Sequence, residues 1–349
     1  MKYKLSKTDI IILKEKAPPL IFHLLYFLFA VTFCFLYYLK IVKGAGFNSP
    51  NSINAVLTFE TVKPFQFRLL VPFIFKILFL FKFIPQKAIF MSYCGVIVYF
   101  IILAYYYLIS EYFENKLTNL FLAPLILYPM TWNYILLNET FQYYDFTTIL
   151  LFTLGLYFIL KNNYKLLLIV FIIGLINKET IAYLIFAYVL FNYKKAFTRT
   201  VIINTFLLAL SFIAVKVLLY LIFKSNPGDP VEICFFRNQE ILSNLFKDRV
   251  YAKDFFLNFG GWYVFIILFF LTGGVKRFAS VSDRSKIYIH LAIIPFVIFG
   301  IFIIYFSEVR VYSELMPMVT TLFLIYSGIN KKSPLKFIEN KNIAQQKEK

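Results

Sequence analysis

Four short charged motifs, each lying between long apolar stretches, contain most of the side chains in this sequence that could take part in chemistry. They are the segments 64–72, 138–145, 177–180 and 308–314. Their carboxylates can act as a general base or bind a metal ion, and their arginines can hold a phosphate through two parallel hydrogen bonds. The candidate site residues within or beside these motifs are Glu60, Gln66, Arg68, Glu139, Tyr144, Asp145, Lys178, Glu179, Glu308, Arg310, Tyr312 and Glu314.

The composition indicates that membrane-spanning helices must position these motifs. Hydrophobic residues make up 60% of the chain and charged residues only 15%, with a mean hydropathy of +0.74. A soluble globular protein averages about 45–50% apolar and about 25% charged residues. The composition therefore excludes a cytosolic or secreted enzyme and a nucleic-acid-binding protein, although the net charge is +18.

The hydrophobic residues form eleven blocks separated by polar joints, a pattern typical of an all-α polytopic membrane protein. Several blocks are shorter than the roughly 20 residues that a perpendicular membrane span needs. No internal repeat divides the chain, so we expect a single integral membrane domain over residues 1–349. The blocks cover residues 20–41, 68–83, 88–108, 117–137, 146–160, 166–176, 181–191, 201–223, 262–271, 287–306 and 316–329.

Lysine and arginine residues collect in four segments, which the positive-inside rule places in the cytoplasm. These basic segments are the N-terminus 1–19, the joints 193–199 and 276–286, and the tail 330–349. Because both termini then lie inside, the number of crossings must be even, and one of the eleven blocks does not cross. We expect about ten transmembrane helices, with outer loops at 43–87 and 224–261.

Block 68–83 is the best candidate for the block that does not cross. Prolines bracket it, and on a helix its three cations fall within an arc of about 120°. This arrangement suits a juxtamembrane amphipathic helix that lies in the outer membrane interface after the first span. An alternative is that block 117–137, which Pro124 and Pro129 interrupt, is re-entrant.

This topology gathers charged side chains at the outer ends of the helices. The acids there are Glu60, Glu139, Asp145, Glu179, Glu308 and Glu314, and the cations are Arg68, Lys178 and Arg310. Charges close to hydrocarbon are costly and usually face a cavity or a partner, so their convergence indicates a functional site. The alternative is that they are ordinary loop residues in water, with Arg310 and Glu314 pairing one helical turn apart.

The order of these features resembles the GT-C superfamily of membrane glycosyltransferases, in a bacterial branch of that group. A first span, an outer loop with an acid and an amphipathic juxtamembrane helix are followed by an acid at the outer end of the third span. The likeness extends over residues 20–329. It is carried by Pro-Phe-Gln-Phe-Arg-Leu-Leu-Val-Pro at 64–72, Tyr-Tyr-Asp at 143–145, Asn-Lys-Glu-Thr at 177–180 and Glu-Val-Arg-Val-Tyr-Ser-Glu-Leu-Met-Pro at 308–317.

The resemblance implies a GT-C-like fold and the transfer of a sugar from a polyprenyl-phosphate donor at the outer face of the bacterial cytoplasmic membrane. The acceptor would be a glycan, a lipid or a protein. In such enzymes a carboxylate of the first outer loop is the general base, a role that falls by position to Glu60, the only acid in 43–67. Asp145 and Glu139 could orient the acceptor or bind a divalent cation. The departing lipid phosphate would be held by Arg68, Lys178 and Arg310.

Cofactor use and three other functions stay open. The three cysteines show no spacing typical of a zinc site, and no ligand spacing decides whether a divalent cation is bound. A polysaccharide polymerase or ligase, a flippase for lipid-linked sugars and a non-enzymatic membrane subunit are the other functions. A flippase would distribute charges through the depth of the membrane, whereas Lys216 is the only clear mid-span ion.

Overall fold

The computed structural model describes residues 18–42, 53–136, 144–229, 234–244 and 313–327, with single positions and short runs between 247 and 291. This described part is helical and contains no β-strand, which confirms the prediction of an all-α protein. Its α-helices, numbered in chain order, are α1 (Leu20–Tyr37), α2 (Ile53–Leu57), α3 (Leu70–Leu78), α4 (Gln86–Ile109), α5 (Lys116–Leu122), α6 (Leu127–Thr131), α7 (Asp145–Leu160), α8 (Tyr164–Asn177), α9 (Tyr183–Phe191), α10 (Arg199–Ile222), α11 (Phe235–Asn244) and α12 (Met316–Tyr326).

Within the described residues, three helices are long and apolar enough to cross a membrane. They are α1 together with the start of the π-helical turn that follows it, α4 and α10. Helices α7, α8, α9 and α12 are also apolar but shorter. At 1.5 Å per residue α7 extends over only about 24 Å, less than the roughly 30 Å of a bilayer core. The helices are those of a membrane protein, and the number of about ten crossings stays a prediction.

Helix α4 lies at the centre of the bundle, between α1 and α7, and α7 packs in turn on α8. The core between these helices is rich in aromatic rings. Phe146, in the first turn of α7, receives the rings of Phe33, Tyr37 and Tyr134 edge-on, at centroid distances of 5.7, 5.2 and 5.0 Å. This edge-to-face packing holds the first turn of α7 in place, and therefore also the preceding residue, Asp145.

Helix α10 packs on α8 and α9 along one side only. Its other side exposes large apolar residues such as Phe206, Ile213 and Leu221. An apolar face of this kind suits contact with lipid hydrocarbon. Lys216 lies on the inner side of the helix, with 21% of its side chain exposed.

The amphipathic helix predicted at 68–83 is present but shorter, because only α3 is α-helical there. Helix α3 begins directly after Leu69. The backbone N–H of Leu69 donates to the carbonyl of Ile176 at 2.9 Å. Val71 and Phe75 are buried, whereas Lys76 and the apolar residues on the other side are exposed. Only Lys76 of the three cations predicted to share one face lies in α3, and the other two lie before and after it, so the predicted cationic face is not present on this helix. The position of α3 in a membrane interface stays a prediction.

Block 117–137, the alternative re-entrant segment, is a succession of short helical pieces. Helices α5 and α6 are joined by the 3-10 turn Ala123–Ile126, and the π-helical turn Trp132–Leu136 follows. Prolines explain the breaks, because a proline within a helix removes one backbone donor and displaces the preceding turn. Which of the two blocks fails to cross the membrane stays open.

Candidate functional site

Six ionisable side chains from separate parts of the chain meet in a buried network, which we call the charge cluster. Three are cations and three are carboxylates, so their formal charges cancel. All but one lie directly at or beside the end of a helix. The members are Arg68 before α3, Asp145 at the start of α7, Lys178 and Glu179 between α8 and α9, Lys216 in α10, and Glu314 before α12.

Helix ends suit these charges. Asp145 is the first residue of α7, where the helix dipole favours a negative charge, and Lys178 follows the last residue of α8, where it favours a positive one. Asn177 ties the two ends together, because its amide donates to the Tyr144 carbonyl at 2.9 Å and to the Thr148 hydroxyl at 2.7 Å. The antiparallel packing of α7 and α8 therefore brings opposite charges to the same point.

One half of the charge cluster is centred on Lys178. Its Nζ lies 2.9 Å from Oδ1 of Asp145 and 3.1 Å from Oε1 of Glu314, and all three side chains are buried. The Thr180 hydroxyl also donates to Glu314. Burial by itself lowers the pKa of the Lys178 ammonium, but the two carboxylates outweigh burial and raise this pKa above its ordinary value. Lys178 is therefore charged and shared between two acids.

The other half is centred on Arg68. Its Nη2 donates to Oε1 of Glu179 at 3.0 Å, and its Nη1 donates to the Tyr144 hydroxyl. The guanidinium also lies over the rings of Tyr144 and Phe65, 4.4 and 4.8 Å from their centroids. Among the described residues, its Nε has no hydrogen-bond partner.

Lys216 joins the network more loosely than the other cations. Its Nζ lies 3.5 Å from Oε2 of Glu179, so Glu179 bridges two cations. Glu179 is also the most accessible carboxylate of the charge cluster, with 31% of its side chain exposed. Its Oε2, the atom nearest to Lys216, is nevertheless buried.

Glu60 lies outside the charge cluster. Its side chain is exposed and takes part in no ion pair within the described part of the chain. Gln66 fixes its loop, because the Gln66 side chain accepts from the backbone N–H of Thr61 at 3.2 Å and donates to the carbonyl of Val56 at 2.9 Å. Gln66 is buried and lies two residues before Arg68. Its hydrogen bonds therefore connect the Glu60 loop to the turn that carries Arg68.

The structure thus brings together half of the predicted site residues. Those that meet are Arg68, Tyr144, Asp145, Lys178, Glu179 and Glu314, with Gln66 as a support. The predictions for Glu139, Glu308, Arg310 and Tyr312 fall outside the described residues. The suggested pairing of Arg310 with Glu314 falls there too, while Glu314 contacts Lys178 and Thr180.

Sequence reasoning missed Lys216, Asn177 and Thr180 as members of the site. Lys216 is the one cation within the apolar stretch of α10, and such an ion usually faces a partner inside the bundle. It lies about 25 Å along α10 from Arg199 and about 9 Å from the end of that helix. It therefore sits near one end of the helix rather than at mid-span, which explains its contact with Glu179.

A metal site is not formed by the described carboxylates. No group of three or more His, Cys, Asp or Glu side chains in the described ranges is placed to hold a metal ion. Each of the three carboxylates in the charge cluster has a cation as its neighbour instead. Whether a divalent cation takes part stays an open prediction.

Comparisons with protein-family models, with curated proteins and with solved structures found no match to this chain. The assignment of a function therefore depends on the geometry of the charge cluster and of the Glu60 loop. The charge cluster provides buried cations and a partly exposed carboxylate that bridges two of them. The buried Gln66, two residues before Arg68, braces the loop of Glu60.

Proposed function

We propose that this chain is a membrane glycosyltransferase that moves a sugar from a polyprenyl-phosphate donor to an acceptor at the outer face of the cytoplasmic membrane. The observation that carries the proposal is the charge cluster, buried at one end of an apolar bundle. Ionisable residues in such surroundings are costly and mark sites that handle ions or charged substrates. A lipid phosphate is a charged group that lies where membrane-spanning helices end.

The position of the charge cluster favours chemistry at a surface over transport through the membrane. Helix α7 begins at Asp145 in the charge cluster and ends beside Lys161, which pairs with Glu111 at 2.8 Å. Between these two ends the described helices bury threonines and tyrosines but no further ion pair. A flippase would need charged or polar groups that contact the headgroup along its whole path.

The Arg68 and Lys216 side chains are suited to hold the phosphate of the donor. Both contact Glu179, the accessible carboxylate, and Lys216 does so at the longest distance in the charge cluster. In this proposal the phosphate of the donor becomes a further counter-ion of both cations. During transfer the bond between the anomeric carbon and the phosphate oxygen breaks, and its electron pair leaves with the phosphate. The two cations stabilise that developing charge.

Glu60 is suited to act as the general base. As the acceptor hydroxyl attacks the anomeric carbon, its proton passes to a carboxylate that must be accessible and not already committed to a cation. Glu60 is exposed on a braced loop, whereas Asp145, another acid of the predicted site, is buried 2.9 Å from the Lys178 ammonium. In this proposal Asp145 holds Lys178 in place and Glu60 takes the proton.

The experiment uses purified full-length protein in lipid nanodiscs and a panel of polyprenyl-phosphate sugars with a radiolabelled sugar. Donor binding and the release of free polyprenyl phosphate in the presence of acceptors are measured separately. We expect Glu60→Gln to retain donor binding and to reduce transfer about 10²–10⁴-fold, the usual contribution of a positioned base. Lys216→Gln should weaken donor binding, and Lys76→Gln, which changes an exposed lysine of α3, is the matched control.

Two outcomes would contradict the proposal. Wild-type transfer by Glu60→Gln would remove the base from Glu60. Failure of the wild-type protein to bind any polyprenyl phosphate of the panel would reject the glycosyltransferase function itself.

A further inference from the structure

Helix α2 ends in a tight turn that presents Glu60. The backbone N–H of Phe59 donates to the carbonyl of Val56 at 3.2 Å, and that of Glu60 donates to the carbonyl of Ala55 at 3.1 Å. This pair of bonds forms a Schellman motif, in which glycine usually occupies the left-handed position. Here Phe59 occupies it, with φ of 63°. A bulky residue keeps this conformation only where its surroundings hold it.

The joint that follows α10 supplies these surroundings. The side-chain amide of Asn226 donates to the carbonyl of Phe59 at 2.8 Å and to the carbonyl of Thr61 at 2.9 Å. These carbonyls lie on either side of Glu60 in the sequence. In addition, the backbone N–H of Lys63 donates to the carbonyl of Pro227 at 2.9 Å.

Close packing adds to these hydrogen bonds. Gly228 has φ of 87°, and a Cβ at this position would lie 2.8 Å from the backbone oxygen of Lys63, so only glycine fits there. The ring of Phe223, directly after α10, contacts the rings of Phe59 and Phe67 at centroid distances of 5.5 and 6.4 Å. The segment 223–228 therefore holds the Glu60 loop in place through both backbone and side-chain contacts.

We infer that Asn226 is a positioning residue for Glu60. Its amide binds the backbone on both sides of Glu60, so it sets the direction in which the Glu60 carboxylate points. The segment that contains Asn226 follows directly after α10, the helix that carries Lys216, so neighbouring parts of the chain place both the phosphate-binding cation and the loop of the base. Because Glu60 acts as a base only under the proposed function, the catalytic part of this assignment rests on that function, whereas the bracing of the loop does not.

The bracing is tested by a spectroscopic measurement that needs no substrate. A nitroxide label on Glu60→Cys in the full-length protein reports the mobility of the loop by electron paramagnetic resonance, and the native Cys34, Cys94 and Cys234 are buried. We expect Asn226→Ala to make the label clearly more mobile. Asn226→Asp, which keeps the size of the side chain but removes both donors, should do the same if the alanine variant does not fold.

Ser225→Ala is the matched control, because Ser225 is an exposed neighbour that makes no hydrogen bond to the Glu60 loop. This control should leave the label as immobile as in the wild-type background. An equally immobile label in folded Asn226→Ala or Asn226→Asp would overturn the inference.

The catalytic consequence is tested with a double-mutant cycle on transfer from the same polyprenyl-phosphate panel. Asn226→Ala should lower turnover on the order of 10–10²-fold, the effect of a misplaced catalytic group, with donor binding little changed. In a Glu60→Gln background the same change should cause no further loss, because the group that Asn226 positions is already absent. Equal losses in both backgrounds would assign Asn226 to the fold alone and overturn the inference.

The two proposals fail in different ways. A mobile label in Asn226→Ala together with no transfer by the wild-type protein would support the bracing and contradict the glycosyltransferase function. Normal transfer by the wild-type protein together with an immobile label in Asn226→Ala would contradict only the role of Asn226.

Discussion

A buried carboxylate keeps its charge in an apolar bundle only if a cation or several donors lie at its oxygens. Lys178 serves two such carboxylates at once, those of Asp145 and Glu314, and no other cation among the described residues lies within ion-pair distance of either. The stability of this part of the protein therefore depends on one ammonium group. Arg68 has a different role, since it combines an ion pair with a hydrogen bond and two ring contacts.

Lys178→Met should destabilise the protein strongly. Removing one partner of a buried ion pair leaves an uncompensated charge, which typically costs about 3–5 kcal/mol. Unfolding of the purified protein in detergent, followed by circular dichroism, measures the loss. Lys194→Met is the control, because Lys194 pairs with Asp283 in full exposure and should leave the melting temperature unchanged. Neutralising both acids as well, with Asp145→Asn and Glu314→Gln, should recover part of the loss; no recovery would contradict the electrostatic reason.

Arg68→Lys should also destabilise the protein, although it keeps the positive charge. Lysine lacks the planar fork that contacts Glu179 and Tyr144 together. The loss of one hydrogen bond that involves a charged group predicts a decrease of about 1.5–3 kcal/mol in the free energy of unfolding. The same unfolding assay measures it, with Arg199→Lys at the exposed start of α10 as control. Equal stability of Arg68→Lys and wild type would show that charge alone matters here.

At the scale of elements, close approach of helices brings the parts of the charge cluster together. Helix α7 contacts α9 at Gly155, and α8 contacts the turn after it at Gly174. A Cβ at Gly174 would lie 2.9 Å from two carbons of Ile181. Glycine therefore lets the chain reverse closely between Lys178 and Glu179 and place both side chains in the charge cluster. Glycine at positions 155 and 174 therefore allows α7, α8 and α9 to pack closely together.

Gly155→Ala should loosen this packing. A Cβ there would lie 2.9 Å from Cδ2 of Leu184 and closer still to its Cδ1, and Leu184 is fully buried. Overpacking of this kind typically costs about 1–3 kcal/mol. Gly95→Ala in α4 is the matched control, because its Cβ would meet nothing within 4 Å and alanine favours a helix by up to about 1 kcal/mol. If both variants unfold at the same temperature, the contact at Gly155 is not tight.

At the scale of the whole molecule, the direction of α10 predicts which side of the membrane carries the charge cluster. Its 24 residues extend over about 36 Å, enough to cross a bilayer core of roughly 30 Å. The joint before it is basic and exposed, with Lys194 and Lys195. The positive-inside rule therefore predicts that the joint faces the cytoplasm and that the Glu60 loop and the charge cluster face outward.

Cysteine labelling of intact cells with a membrane-impermeant maleimide tests this orientation. Ser225→Cys, exposed after α10, should react from outside, whereas Lys195→Cys, exposed before α10, should react only after permeabilisation. Cys34, Cys94 and Cys234 are buried and provide a low background. The reverse pattern would place the charge cluster on the cytoplasmic side and exclude the proposed reaction at the outer face.

The amino-acid sequence was sufficient for some features of the site and not for others. The short motifs identified Arg68, Asp145, Lys178 and Glu179 as residues of one site, because charged residues beside apolar helices collect at helix ends. The sequence was not sufficient for Lys216. Its depth near the end of α10 follows from counting along the block, but its contact with Glu179 depends on how α10 is rotated against α8 and α9. The sequence also could not show that Asn226 braces the loop of Glu60, since the two segments are far apart in the chain.

What the sequence by itself determined is the all-helical architecture and the membrane environment. Hydrophobicity and helix periodicity are local and additive properties, so they can be read along the chain without knowing its path. What only the tertiary structure decided is the set of partners: Lys178 between Asp145 and Glu314, and Glu179 between Arg68 and Lys216. Such pairs depend on the rotation and depth of each helix. These are set by contacts between distant segments, such as Leu184 against Gly155, that no local pattern encodes.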